Sequence, residues 1–159
     1  RVLSLGPYRG EWGRLVRAFK FDREVAIGRW LGERMAALWN AAEGVPAVDA
    51  ITFVPMTRRD RRLRGFNQAQ VLARVIARRK GLPLRRLLAK PRGTPLQSRL
   101  SASERKLNLR DAFRPLPLIG DQVLLVDDIY TTGSTVEECA RMLKRGGARS
   151  VIVITVARA

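Results

Sequence analysis

The stretch VLLVDDIYTTGST, Val123 to Thr135, holds the residues best suited to chemistry. Apolar residues run into paired carboxylates, Asp127 and Asp128. A hydroxyl-rich loop built from Thr131, Thr132, Gly133, Ser134 and Thr135 follows. The apolar run Val123–Val126 reads as a buried strand. Beyond the loop, Val136, Cys139, Ala140 and Leu143 recur at i, i+3, i+4 and i+7, so a helix comes next. The acidic pair is therefore expected at the carboxyl end of a strand, where open parallel sheets bind ligands. The loop is expected at a helix N-terminus, whose free N–H groups and dipole favour a phosphate. Gly133 lets the backbone curl tightly without a Cβ. The carboxylates would accept hydrogen bonds from neighbouring sugar hydroxyls. Phosphate at one end and a diol at the other describe a ribose 5-phosphate site. The plain alternative is a strand ending in solvent with Thr135 capping the next helix, which the full pattern disfavours. A Walker A loop needs a lysine before its Ser/Thr, which Gly133-Ser134-Thr135 lacks, and G-x-G-x-x-G is absent.

The elements that must position these groups are legible in outline. Trp12, Leu15, Val16 and Phe19 form one helical stripe, and Ile27, Leu31, Met35 and Leu38 a second, ended by Gly44 and Pro46. Trp30 and Trp39 beside it read as packing. Asp49–Val54 is a short β-branched run, hence a buried strand stopped by Pro55. The stretch PMTRRDRRLRG reads as a basic loop. Ala69, Leu72, Ala73 and Ile76 then face one way and Gln70, Arg74 and Arg78 the other, a helix closed by Gly81 and Pro83. Leu84–Ala89 is a candidate strand. Val151–Val156 reads as a strand covered on both faces, with Gly146 and Gly147 before it. Strand, loop, helix, strand is a βαβ unit, so the expected fold is α/β, a doubly wound parallel sheet with an N-terminal helical segment. One domain spans 1–159: a helical part at 1–48, then an α/β core at 49–159 with a flexible loop at 90–108.

Composition sets limits. Lys+Arg number 31 against 14 Asp+Glu, a net charge of +17, which attracts nucleic acid, membrane surfaces or phosphorylated small molecules. Arginine-rich genome composition or heat adaptation is the bland explanation of the excess. There is no histidine, which excludes Ser-His-Asp, Cys-His and His-zinc chemistry within this chain. A lone cysteine, Cys139, excludes an internal disulfide, fits a cytoplasmic compartment, and lies on an apolar stripe as a buried hydrophobe would. No apolar run approaches the roughly 20 residues of a membrane span, and no secretory signal is visible. The chain starts at Arg1 and not at Met, as a fragment or a processed product would.

VLLVDDIYTTGST resembles the phosphoribosyl pyrophosphate (PRPP) signature of type I phosphoribosyltransferases. YRGEWGRLVRAFKF, VPMTRRDRRLRGFNQAQVLA and TPLQSRLSASERKLNLRDAF extend the likeness over nearly the whole chain to the competence protein F (ComF) family. The resemblance implies that Asp127 and Asp128 bind the ribose hydroxyls and that Thr131, Thr132, Gly133, Ser134 and Thr135 hold the 5-phosphate. It implies a pyrophosphate loop at Pro55, Met56, Thr57 and Arg58, and a mobile lid at 90–108. Magnesium would arrive on PRPP, with no direct protein ligand. Displacing pyrophosphate builds positive charge on the sugar and negative charge on the leaving group, so a lid should exclude water and bring cations. Arg92, Arg99, Arg105 and Lys106 are the candidates.

Three departures stand out. Phosphoribosyltransferases acting on 6-oxopurines usually carry an acid at the position of Thr131, so such bases are doubtful acceptors here. The chain ends at Ala159, three residues beyond the last predicted strand, so an acceptor is expected to be recognised by N-terminal helices or the lid. Relatives usually carry a four-cysteine zinc module ahead of this segment; zinc is not expected in these residues. One expectation is a magnesium-dependent phosphoribosyltransferase of the natural-transformation machinery with an unidentified acceptor. The other is a non-catalytic module that senses PRPP or a nucleotide, or binds single-stranded DNA and DNA-processing proteins. For the latter, Arg58, Arg59, Arg61, Arg62 and Arg64 offer phosphate contacts, with only Phe66 near for stacking. Self-association is left open.

Overall fold

The computed structural model describes residues 1–21, 25–91, 112–118 and 120–159. A four-stranded parallel sheet is built from β1 (Val2–Pro7), β2 (Ala50–Phe53), β5 (Gln122–Tyr130) and β6 (Ser150–Arg158), in the order β1-β6-β5-β2. Its helices are α1 (Gly10–Phe21), α2 (Val25–Ala41), α3 (Arg58–Arg64), α4 (Gln68–Lys80) and α5 (Ser134–Arg145). A short antiparallel pair, β3 (Leu88–Ala89) with β4 (Arg114–Pro115), stands apart from the sheet.

Val123, Leu124, Leu125 and Val126 are all fully buried, so both faces of β5 are covered. That is why the run is continuously apolar and not alternating. Helices α2 and α4 pack on each other and on the β1, β2 and β5 side, while α5 packs on β5, β6 and the β3–β4 pair. The expected doubly wound α/β architecture is present. Leu31, Met35, Leu72, Ala73, Ile76, Cys139 and Leu143 fill the layers between helices and sheet.

Four local features differ from the sequence reading. The segment 1–48 is not helical throughout: Val2–Pro7 is an edge strand paired in parallel with β6, from Val2 opposite Val153 to Pro7 opposite Arg158. Its partner lies about 150 residues away in sequence, and its VLSLGP pattern is too short and too Gly/Pro-rich to announce a strand. The basic stretch after Pro55 is not a loop but the helix α3. Thr57 caps it, accepting from the Asp60 N–H at 3.0 Å, and Gly65 closes it at φ 86°. The Leu84–Ala89 strand shrinks to Leu88–Ala89, preceded by a single bridge from Leu84 to Ile51. Finally, β5 does not stop at Val126. It continues through the acidic pair to Tyr130, held by β6 as far as the Tyr130–Arg158 register pair.

Candidate functional site

The site forms where β5 outruns β2. The last β2–β5 register pair is Phe53 with Val126, and the Val54 N–H donates to the Val126 carbonyl at 3.0 Å. Beyond that point β2 turns away at Pro55, so Asp127 and Asp128 emerge beside the Pro55–Arg58 turn while β6 still supports their other side. The carboxylates therefore sit within the strand, at its sixth and seventh of nine residues, not after its end as the sequence suggested.

Asp127 and Asp128 have different environments. The Asp127 Oδ1 accepts the Asp128 N–H at 2.9 Å. Burial pushes the Asp127 carboxyl well above the usual carboxylate range, and the Asp128 charge pushes it further. The Asp128 hydrogen bond and the Lys20 ammonium oppose that shift. Lys20 Nζ lies 3.9 Å from Asp128 Oδ2, with only 22% and 16% of the two side chains exposed. Lys20 is placed by packing: Phe19 is buried against Gly28, where any Cβ would strike its ring, and its ring centre lies 5.5 Å from that of Phe66 at a tilt of 45°. The Gln68 side chain donates to the Lys20 carbonyl at 3.5 Å, joining the end of α1 to the start of α4.

The hydroxyl loop turns directly into α5. Gly133 is its N-cap at φ 81°, a left-handed conformation that suits glycine, and it has no side chain with which to cap. The N–H groups opening α5 are thus not consumed by an N-cap side chain, so Thr135 is not the cap. Thr132 Oγ1 and Ser134 Oγ are 2.9 Å apart, and the Ser134 N–H reaches Thr132 Oγ1 at 3.5 Å. Thr131 and Thr132 are exposed, Ser134 and Thr135 half-buried, and Gly133 buried. A Cβ on Gly133 would collide with the Tyr130 hydroxyl, which therefore stands at the loop. Arg158 stacks over the Tyr130 ring at 5.2 Å. The Glu137 carboxylate lies in the first turn of α5 and comes within 3.3 Å of that same Cβ position.

On the β2 side, Pro55 and Thr57 are buried, Met56 is half-buried and Arg58 is exposed. The Asn67 side chain donates to the Val54 carbonyl at 3.0 Å while capping α4, which fixes the turn. A pocket of about 420 Å³ lies here, lined by Met56, Thr57, Arg58, Arg61, Gln70 and Arg86 among others. The α3 arginines have no buried residue among them, and Leu63 beside them is 68% exposed.

Asp127 and Asp128 lie on β5, the hydroxyl loop follows them directly into α5, and the Pro55–Arg58 turn leaves β2, the strand paired with β5. The lid candidates Arg92, Arg99, Arg105 and Lys106, with most of the 90–108 segment, lie outside the described residues. Lys20 and Tyr130 went unread in the sequence. Lys20 carries no spacing signal, because its carboxylate partner lies more than a hundred residues away; Tyr130 sits inside the motif yet reads as an ordinary strand residue. Among the described residues no group of three or more His, Cys, Asp or Glu could hold a metal ion, and no helix is long and apolar enough to cross a membrane.

The family model of the phosphoribosyl transferase domain matches residues 65–159. DNA utilization protein YhgH of Salmonella typhi is 36% identical over 163 residues, a match covering 99% of this chain and 72% of that protein. Competence protein F of Haemophilus influenzae is 30% identical over 167 residues, covering 100% of this chain and 73% of that protein. Among solved structures, glutamine phosphoribosylpyrophosphate amidotransferase from B. subtilis, complexed with ADP and GMP, superposes with a TM-score of 0.54. At 24% identity, over 80% of this chain and 25% of that one, this likeness shows the fold alone.

Proposed function

This chain belongs to the phosphoribosyl transferase domain family, among its competence protein F relatives, and from that premise we propose that it binds PRPP and transfers ribose 5-phosphate to an acceptor. The observation that carries the reading is the Gly133-capped start of α5, one residue beyond a hydroxyl pair and a few residues beyond Asp127 and Asp128.

Each part of the donor has a candidate partner. The amides and hydroxyls from Thr131 to Thr135 hold the 5-phosphate at the positive end of α5. Asp128, and Asp127 in its ionised form, accept hydrogen bonds from the ribose hydroxyls. The Pro55–Arg58 turn and its basic pocket meet the pyrophosphate, whose charge develops as the C1–O bond breaks. Lys20 offsets the charge of the acidic pair from behind. Magnesium would come as a companion of the donor's phosphates, an ion that keeps several of its waters and binds through substrate oxygens, with Asp127 and Asp128 the carboxylates nearest the ribose. When bound it would supply neutralising charge to the leaving pyrophosphate.

Thermal-shift titration with PRPP, with and without Mg²⁺, tests donor binding. Pyrophosphate release across a panel of bases and amines tests transfer. A midpoint unmoved by saturating Mg-PRPP refutes the reading.

One observation favours a second reading, a module that handles single-stranded nucleic acid. Helix α3 presents Arg58, Arg59, Arg61, Arg62 and Arg64 with no buried side chain, a surface suited to a phosphate backbone. The two readings share the PRPP site and part on turnover.

A further inference from the structure

A groove of about 560 Å³ lies between α2 and α4, lined by Arg29 and Glu33 from the first helix and by Arg74, Arg78 and Arg79 from the second. None of the groups assigned to the donor lines it. Its floor is apolar. Val71 and Val75 lie along α4, and Gly32 lets α2 close onto Val75, where a Cβ would come within 2.7 Å. Its rim is cationic. Glu33 is the one carboxylate lining the groove, and it is already engaged: Arg79 Nη2 donates to it at 2.7 Å, and Arg29 Nε lies 3.9 Å away. Arg74 and Arg78 are exposed, and among the described residues neither has an ion-pair partner. They stand one turn apart on α4, about 6 Å along the axis at the α-helical rise. That step is close to the distance between neighbouring phosphates of an extended strand.

The outward side of α2 adds rings to these charges. Trp30 follows Arg29 and keeps 42% of its surface exposed. Trp12 from α1 stacks on it at 6.3 Å with 27° between the ring planes, and the Arg34 guanidinium lies 5.1 Å from a Trp30 ring centre. Trp12 is held in turn by β1, where Gly6 leaves no room for a Cβ. Trp30 is thus a supported indole set among guanidiniums.

We propose that the outer face of α2 and α4 binds single-stranded nucleic acid, with phosphates on Arg29, Arg74 and Arg78 and a base stacked on Trp30. The incoming base displaces the Arg34 guanidinium, which then turns to the adjoining phosphate. Charge alone would serve a duplex or an acidic polypeptide equally well. The indole decides for a single strand, because its bases are free to stack on a protein ring while those of a duplex are covered by one another. The surface lies on other helices than the α3 arginines and needs no donor in the PRPP site.

The test is fluorescence anisotropy of a labelled oligodeoxythymidylate on the full chain at several salt concentrations, with a duplex of equal length and polyglutamate as competitors. Arg74→Gln with Arg78→Gln should lower the slope of log K against log salt by about 1.4, at roughly 0.7 per phosphate contact. Trp30→Leu keeps an apolar side chain against Trp12 and should weaken binding at least ~5-fold with the slope unchanged. Quenching of the tryptophan emission by the oligonucleotide reads the same stacking in the parent protein. Arg85→Gln with Arg114→Gln removes two exposed charges elsewhere and should change neither slope nor affinity. Duplex and polyglutamate should compete at least ~10-fold less well than the unlabelled single strand. No binding, a slope lowered equally by the Arg85 and Arg114 pair, unquenched emission together with an inert Trp30→Leu, or equal competition by either rival polyanion overturns the proposal.

Discussion

The Tyr130 hydroxyl fills the space in which a side chain on residue 133 would begin, so Tyr130 and Gly133 are matched across the turn that leaves β5. The left-handed φ of 81° at Gly133 and the close approach of Tyr130 are two separate reasons for glycine at that position. The turn they define aims the start of α5 at whatever lies over the acidic pair.

Gly133→Ala should therefore cost about 2 kcal/mol or more, combining left-handed strain with the collision. Adding Tyr130→Ala should recover part of that loss, a coupling of roughly 1 kcal/mol in a double-mutant cycle. Urea denaturation of the four proteins measures it. Strict additivity would mean that the two residues do not meet.

Asp127 gives a pH signature. Its carboxyl is raised in the fold by burial first and by Asp128 second. The folded protein then holds a proton that the unfolded chain gives up near the ordinary carboxylate range. Stability contributed by this group is highest at acid pH and falls as pH rises through the raised value. Asp127→Asn removes that penalty while keeping an oxygen for the Asp128 N–H. The variant should be more stable than the parent at neutral pH, with the difference vanishing below about pH 4. The double change Asp127→Asn with Asp128→Asn should abolish the PRPP thermal shift in a folded protein.

The strand that carries these carboxylates was readable from its apolar run, and the loop from its hydroxyls and glycine. Both depend on neighbours in sequence. What sequence did not show depends on distant partners. β1 exists because β6 lies beside it, and Lys20 matters because Phe19, Gly28 and Gln68 bring it to Asp128. The extension of β5 to Tyr130 breaks the local rule that acids leave strands, and β6 pairing overrides that rule. The arginines after Pro55 looked like a loop because nothing in them is apolar and periodic; the Thr57 cap and Gly65 stop make them a helix.

Those arginines supply a third prediction. Replacing Arg58, Arg61 and Arg64 by glutamine should lower the slope of log K against log salt for single-stranded DNA by about 2, at roughly 0.7 per phosphate contact. Fluorescence anisotropy at several salt concentrations gives the slope. An unchanged slope places the nucleic-acid contact elsewhere.

Cys139 is buried, and burial first, then the Asp127 charge, pushes its thiol up. It should react with an aromatic disulfide reagent only through opening of the fold, so its labelling rate should follow global stability across the variants above. Rapid labelling of the native protein would contradict the buried α5 face.

The central claim is that the start of α5 cradles a sugar phosphate, and a crystal structure with PRPP and magnesium tests it most directly. The predicted result places the 5-phosphate within hydrogen-bond reach of the amides from Gly133 to Thr135, with the ribose hydroxyls against Asp127 and Asp128. Donor bound elsewhere at saturating concentration, with that turn vacant, would contradict it.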